Sequence, residues 1–342
     1  YVRVKFPFPK RALHAFDAHT GRLLWTVGGK LRMNSVEEGG SFATGPTPDG
    51  ARLYVGAVFQ KFSTDPFEHY VLCLDAATGR VLWSTFIASG GTEINLFGNS
   101  TRESLGTPVA MSEDAVFYGT NHGAYAALEK KTGRIRWIIR YKQPPVRPTR
   151  SVYVRKNLLE WVNSPAVVAE GVAALTPTDS AFLTAVDARD GRILWERPRG
   201  GALRTLYGAK GSTLVLGGER LELLDLKTGT ALVPPAGAEL GGSGRGVLAE
   251  DGIYVPCRDR LVKVAWDGTW AAASSRRWPG TRAEGGNLVV VDGALLLASQ
   301  DSIQVYFDRR DQERTIQAAL EKHPDDPALL YRAALRYLQS GQ

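Results

Sequence analysis

The chain has 342 residues and only two cysteines, Cys73 and Cys257, far apart in sequence. Cys73 falls on an alternating apolar stretch, so a buried free thiol is expected there. No run reaches the roughly 18 apolar residues that a membrane-spanning helix needs. The five histidines (His14, His19, His69, His122, His323) show neither H-x-H nor H-E-x-x-H spacing and have no cysteine pair nearby. That argues against a zinc site of the usual kind. No G-x-S-x-G elbow is present. The glycine run Gly241 to Gly246 has no helix after it to supply amide donors to a phosphate, so it reads as a loop. Acidic residues are outnumbered 35 to 42 by basic ones, giving a net charge of +7. Such a charge permits an acidic partner or an anionic surface without requiring one. Asp and Glu are scattered throughout, and no nucleic-acid partner is expected. Neither a signal peptide nor an initiator methionine precedes Tyr1, which suggests an excerpt whose targeting signal lies elsewhere.

What the chain does have is repetition. Val71 to Trp83, VLCLDAATGRVLW, alternates as a strand, turns, and restarts as a second strand. Asp75 can accept hydrogen bonds from amides two and three residues on, and Gly79 can take the left-handed backbone conformation. The unit returns as LHAFDAHTGRLLW (Leu13 to Trp25), YAALEKKTGRIRW (Tyr125 to Trp137) and LTAVDARDGRILW (Leu183 to Trp195). LELLDLKTGTALV (Leu221 to Val233) is weaker, LVKVAWDGTWAAA (Leu261 to Ala273) is decayed, and SIQVYFD closes the series at Asp308. Repeats of about 40 residues signal propellers or solenoids. The repeat residues Asp17, Asp75, Asp187, Trp25, Trp83, Trp137 and Trp195 are therefore structural: turn caps and packing between neighbouring blades. A tryptophan stacking on a cofactor would occur once, not once per blade.

The pattern A-x-D-x-x-T-G-x-x-x-W resembles the PQQ-like repeat, shared by quinoprotein dehydrogenases and by non-catalytic propellers such as the BamB-like outer-membrane assembly lipoproteins. The resemblance implies an all-β propeller over residues 1–308 and specifies activity poorly, because one fold carries both enzymes and scaffolds. It also implies a periplasmic or otherwise extracytoplasmic place in a bacterium. As a dehydrogenase the chain would carry PQQ with calcium, held by a vicinal disulfide, a tryptophan and acidic and amide ligands. It has no adjacent cysteines, and no calcium motif matches residue by residue. No cofactor, metal or catalytic residue is assigned. The expected function is a non-enzymatic scaffold for a protein or peptide partner; a PQQ-dependent dehydrogenase, or a sensor domain of a larger protein, is the alternative.

Strand patterning gives about seven four-stranded blades, with eight as the alternative. Tyr1 to Phe8 reads as a strand, leaving the first blade without its innermost one. The sixth blade takes its fourth strand at Thr269 to Ala273, and the last has three strands. Both gaps are what a segment preceding Tyr1 would fill, closing the last blade. After Asp308 the pattern turns helical: Arg309 to Lys322, then a second helix capped by Asp326 with Pro327 at its first position. Residues 309–342 form a short α-helical hairpin that looks like half of a tetratricopeptide repeat, and one half-repeat cannot bury its own apolar stripe.

Three connections from one blade to the next are long: Thr26 to Ala43, Ser84 to Gly106 and Ile138 to Asn163. They emerge at the same end as the second-to-third strand hairpins, and long loops on a rigid scaffold are where binding residues concentrate. The last of them carries Arg140, Lys142, Arg147, Arg150, Arg155 and Lys156 with no acid before Glu160, interleaved with Tyr141, Tyr153 and Trp161. Arginine among aromatics is the composition of interface anchors. Asn95, Phe97, Arg102, Arg147, Arg150 and Trp161 are the candidate partner contacts.

Overall fold

A computed structural model describes residues 11–28, 31–33, 37–60, 65–91, 103–143, 161–200, 202–232, 240–267, 269, 275–278, 285–291, 294–307 and 309–340. Among these the strands fall into seven antiparallel sheets, the blades of a β-propeller fold. The chain divides into two compact units, Tyr1–Ala238 and Glu239–Gln342. The change from strand to helix occurs where the sequence places it, between Phe307 and Arg309.

The first unit holds five sheets. In the first, Ala12–Phe16 pairs with Leu23–Gly28; the strand expected at Tyr1 to Phe8 lies outside the described residues. The second is built on Arg52–Phe59, Phe67–Asp75 and Val81–Gly90. Its inner side differs from the expected loop. Leu31–Met33 and Glu37–Phe42 pair as a hairpin, and Ser41 and Phe42 add to the sheet opposite Val58 and Ala57. The glycines of this stretch hid the strand, while burial of Phe42, 1% exposed, anchors it. The third sheet runs Ala110–Met111, Ala115–Gly119, Ala124–Glu129, Ile135–Arg140, and the fourth Val167–Ala169, Val172–Leu175, Phe182–Asp187, Ile193–Pro198. The fifth has Leu203–Lys210, Thr213–Gly218 and Glu222–Asp225.

Successive sheets pack face to face because each is apolar on both faces. Tyr54, Val71 and Cys73 of the second meet Val116, Tyr118 and Leu128 of the third. Phe117, Tyr125 and Trp137 of the third meet Ala173, Leu175 and Val186 of the fourth.

The repeat sequence supplies a specific joint on top of this packing. The Asp75 carboxylate accepts from the Thr78 amide (2.9 Å) and hydroxyl (2.7 Å), closing the turn between the third and fourth strands. Asp17 does the same with His19 and Thr20, and Asp187 with Arg189. Where aspartate replaces threonine at Asp190, its carboxylate takes the Arg192 amide instead. Each closing tryptophan then reaches the turn of the next sheet. The indole N–H donates from Trp25 to Ala76 O, from Trp83 to Lys130 O, from Trp137 to Ala188 O and from Trp195 to Leu226 O, at 3.0–3.2 Å. Under each ring lies the glycine of that next turn. Gly79 has φ +71°, and a Cβ there would stand 2.7–2.9 Å from Trp25 and Val27. Gly133, Gly191 and Gly229 stand likewise against Trp83, Trp137 and Trp195. Thr-Gly in one repeat is thus the seat for the tryptophan of the repeat before it.

The second unit has two sheets and two helices. Val247–Ala249, Gly252–Pro256, Arg260–Val264 and Ser275–Arg277 form one sheet; Asn287–Val291, Ala294–Ala298 and Ile303–Phe307 form the other. Beyond Thr269 the fourth strand expected at Thr269 to Ala273 lies outside the described residues; the strand seen to pair with Arg260, Leu261 and Val262 is Ser275–Arg277. Ahead of it the Asp267 carboxylate takes the Thr269 amide, and the Trp266 indole is tied to the Ala249 and Glu250 carbonyls. Trp278 becomes the buried ring of this sheet, bonded to Cys257 O (2.9 Å) and stacked on Tyr306. Both cysteines are buried free thiols, raised in pKa by burial. Helices Arg309–Lys322 and Pro327–Ser340 form the expected hairpin, and the Asp326 carboxylate caps the second through the Ala328 amide (2.8 Å). Among the described residues no helix is long and apolar enough to cross a membrane.

Candidate functional site

The candidate site lies in the first unit, at the end of the sheets that carries the second-to-third strand hairpins. The strand Phe67–Asp75 alternates Phe67, His69, Val71 and Cys73 toward the third sheet, so a histidine is carried into an apolar layer. His69 is 0% exposed. Its Nδ1 lies 3.0 Å from the Tyr118 hydroxyl and its Nε2 lies 2.9 Å from Ser104 Oγ. Ser104 Oγ is also 2.8 Å from Nε2 of His122, whose ring stacks on Phe67. Gly106 makes room for the arrangement, since a Cβ there would collide with the Tyr118 ring and hydroxyl.

The Ser104 hydroxyl carries one proton, so of the two imidazole Nε2 atoms that flank it one accepts and the other donates. Neutral imidazoles meet that need. Burial holds them so: it pushes the pKa of His69 well below the ordinary histidine value, with His122 adding repulsion, and it lowers that of His122 against the pull of Asp179.

A second network ties the hairpins together. Asn121, at φ 53° in the hairpin of the third sheet, donates to Leu105 O (2.9 Å) and Asn163 Oδ1 (3.3 Å) and accepts from the Thr178 amide (3.0 Å). Asn163 donates to Gly106 O (2.9 Å). Asp179 takes the Gly123 amide (3.0 Å) and the Tyr141 hydroxyl (2.6 Å). Burial first, and then that carboxylate, raise the Tyr141 pKa, so the phenol stays a donor. Arg11 and Glu103 form a two-pronged ion pair at the rim. Beside it opens a cavity of about 390 Å³ lined by Arg11, Phe42, Thr44, Leu105, Pro108 and Asn163.

Of the sequence-predicted contacts, Asn95, Phe97, Arg102, Arg147 and Arg150 lie outside the described residues. Trp161 is described, and it is not a surface anchor. It is 3% exposed, packs with Leu183, Leu203 and Leu206, and carries the Arg199 guanidinium 5.5 Å over its ring. The large apolar face of tryptophan favoured burial over display. What the described residues do show is how the segments 92–102 and 144–160 are rooted. Gly90 meets His122, and residues 103–106 are held by Arg11, His69, His122, Asn121 and Asn163. Gln143 is bonded to Asp179, and the Val162 amide donates to Arg204 O (2.8 Å). His69, Ser104, Asn163 and Asp179 carried no sequence motif. The one available signal was a histidine in the inward register of an apolar strand.

Ser104 is 2% exposed, and its hydroxyl is shared between His69 and His122. Among the described residues no group of three or more His, Cys, Asp or Glu side chains is placed to hold a metal ion.

Comparison with known proteins is consistent in fold. The profile of the family described as outer membrane protein assembly factor BamB matches residues 9–145 and 67–317. A curated relative, the outer membrane protein assembly factor BamB of Yersinia pestis, is 26% identical over 190 residues, which are 55% of this chain and 39% of that protein. The chain thus aligns with about two fifths of that relative's length. The crystal structure of BamB from Moraxella catarrhalis superposes with a TM-score of 0.55 at 17% identity, over 86% of this chain and 78% of the other. Quinohemoprotein alcohol dehydrogenase from Comamonas testosteroni gives 0.52 at 13% identity, over 84% and 59%. Identities this low carry the fold alone.

Proposed function

The chain belongs to the family of the outer membrane protein assembly factor BamB, and on that premise we propose that it is a non-enzymatic scaffold that captures a protein partner in an extracytoplasmic compartment. The partner is a component of outer-membrane protein assembly, as the name of the Yersinia relative suggests. The observation that carries this reading is the hairpin end of the first four sheets. There, buried polar networks fix the feet of two long segments beside an open 390 Å³ cavity. Rigid roots under long connections keep the entropy lost on binding small.

The segment 140–156 is basic in sequence, a composition suited to an acidic partner surface. The dehydrogenase reading rests on fold likeness alone; it would need a calcium cage and a quinone clasp, and the two cysteines stand 184 residues apart in sequence rather than side by side.

Reversing charge at Arg147 and Arg150 (Arg147→Glu with Arg150→Glu) tests the face directly. Capture of the assembly partner is expected to weaken at least about tenfold, equivalent to 1.4 kcal/mol, with the melting temperature almost unchanged. Unaltered capture by the double variant would place the interface elsewhere.

A further inference from the structure

The Tyr118–His69–Ser104–His122 chain is more than a packing detail, because it ties Ser104 to both the second and the third sheet. The Ser104 hydroxyl has one proton and stands between two imidazole Nε2 atoms, so one of them must accept from it. An extra proton on that accepting imidazole, whether His69 or His122, turns the acceptor into a donor. In either case a buried hydroxyl loses its acceptor while a positive charge appears in an apolar layer, and a buried unpaired polar group is costly.

We propose that this chain is a proton-operated latch: neutral imidazoles lock Ser104 and the following residues onto the second and third sheets, and proton uptake releases them. Among the described residues the charged and titratable groups that face the latch are few. Tyr118 comes from the third sheet, and Asp179, on the hairpin of the fourth sheet, acts on His122 from a distance. Asp179 is already committed to the Gly123 amide and the Tyr141 hydroxyl. Glu103, next to Ser104, is taken by Arg11. Glu68, next to His69, points to the other face of its strand and binds Tyr70. Among the described residues none of these carboxylates contacts an imidazole directly, so they offer the added proton no direct counter-charge.

Amide hydrogen exchange on the intact free protein tests the latch without any partner, so its failure would leave the binding proposal standing. The reporter is the Thr107 amide, bonded to Gly119 O at 2.8 Å three residues after Ser104. The reference is the Leu216 amide in the fifth sheet, whose strand pairs on both sides. After correction for intrinsic exchange, protection at Thr107 is expected to fall about tenfold per pH unit below pH ~6.5 for each histidine that titrates, while Leu216 holds. His122→Gln should reduce the slope to that of His69 alone, and Ser104→Ala should leave Thr107 weakly protected at all pH values. Should a variant fail to fold, the wild type still decides through the C2 proton resonances of the two histidines. Joint titration, with chemical-shift changes at Ser104 at the same pH, supports the latch. Independent titration near pH 6.5 with Thr107 protection tracking Leu216 overturns it, as does a slope left undiminished in His122→Gln.

Discussion

Trp137→Ala is expected to lower the unfolding free energy by about 3–5 kcal/mol, the cost of truncating a large aromatic side chain in a packed core. The ring is buried between the third and fourth sheets, beside Phe117 (centroids 6.0 Å apart), Tyr125 and Leu175. Its N–H reaches Ala188 O at 3.1 Å, and Gly191 lies under the six-membered ring. Alanine would open a cavity and strip the Ala188 carbonyl of its partner together. Chemical denaturation measures the loss. The seating glycine provides the internal control. Gly191→Ala in the intact protein pays twice, for a φ of +77° and for a Cβ 2.7 Å from the indole. In the Trp137→Ala background only the backbone cost of roughly 1 kcal/mol should persist. If Trp137→Ala costs less than about 1 kcal/mol, or if the two substitutions add without coupling, the indole-on-turn joint is not what holds neighbouring sheets.

The second large effect is a loss of stability in mild acid. Both His69 and His122 have folded-state pKa values below the ordinary value of about 6.5, through burial. A group with a depressed basic pKa is protonated first in the unfolded state. Its contribution is therefore complete above the unfolded pKa and lost as pH falls below it. Unfolding free energy should be level between pH 7 and 8 and then decline below pH ~6.5. The slope can reach at most about 1.4 kcal/mol per pH unit for each histidine, so about 2.8 for the pair. The lowered carboxylates of the turns, Asp17, Asp75 and Asp225, act in a separate window below their ordinary pKa near 4. His122→Gln should halve the slope between pH 6.5 and 5. A stability curve level down to pH 5 would show that the imidazoles are not held neutral by the fold.

These two effects draw on parts of the structure that differ in how visible they are in the sequence. The joint was legible because its chemistry is local and repeated: an aspartate, a threonine, a glycine and a tryptophan at fixed offsets. What spacing could not show is that the tryptophan of one repeat lands on the glycine of the next. The histidine chain was not legible, because His69, Ser104 and His122 are separated by 35 and 18 residues and meet only when sheets stack. His122 reads from its neighbours as an ordinary Asn-His-Gly turn, and the structure does give Asn121 and Gly123 the positive φ values of such a turn. The turn geometry and the buried ring serve different ends. Trp161 shows the opposite failure: its basic and aromatic surroundings suggest display, yet the ring fills the layer between the fourth and fifth sheets. Nothing in the fading motif of the decayed sixth repeat marks Ser275–Arg277 as a strand that pairs with Arg260–Val264.

The central claim, a scaffold that binds through the hairpin end of its first sheets, is tested most directly by site-specific photo-cross-linking in the native envelope. One probe replaces Val162, exposed at that end; the other replaces Ala77, exposed in the turn at the opposite end of the second sheet. Adducts with an outer-membrane assembly protein from position 162 and none from position 77 are the predicted result. Adducts from position 77 alone, or equal yields from both, would contradict it.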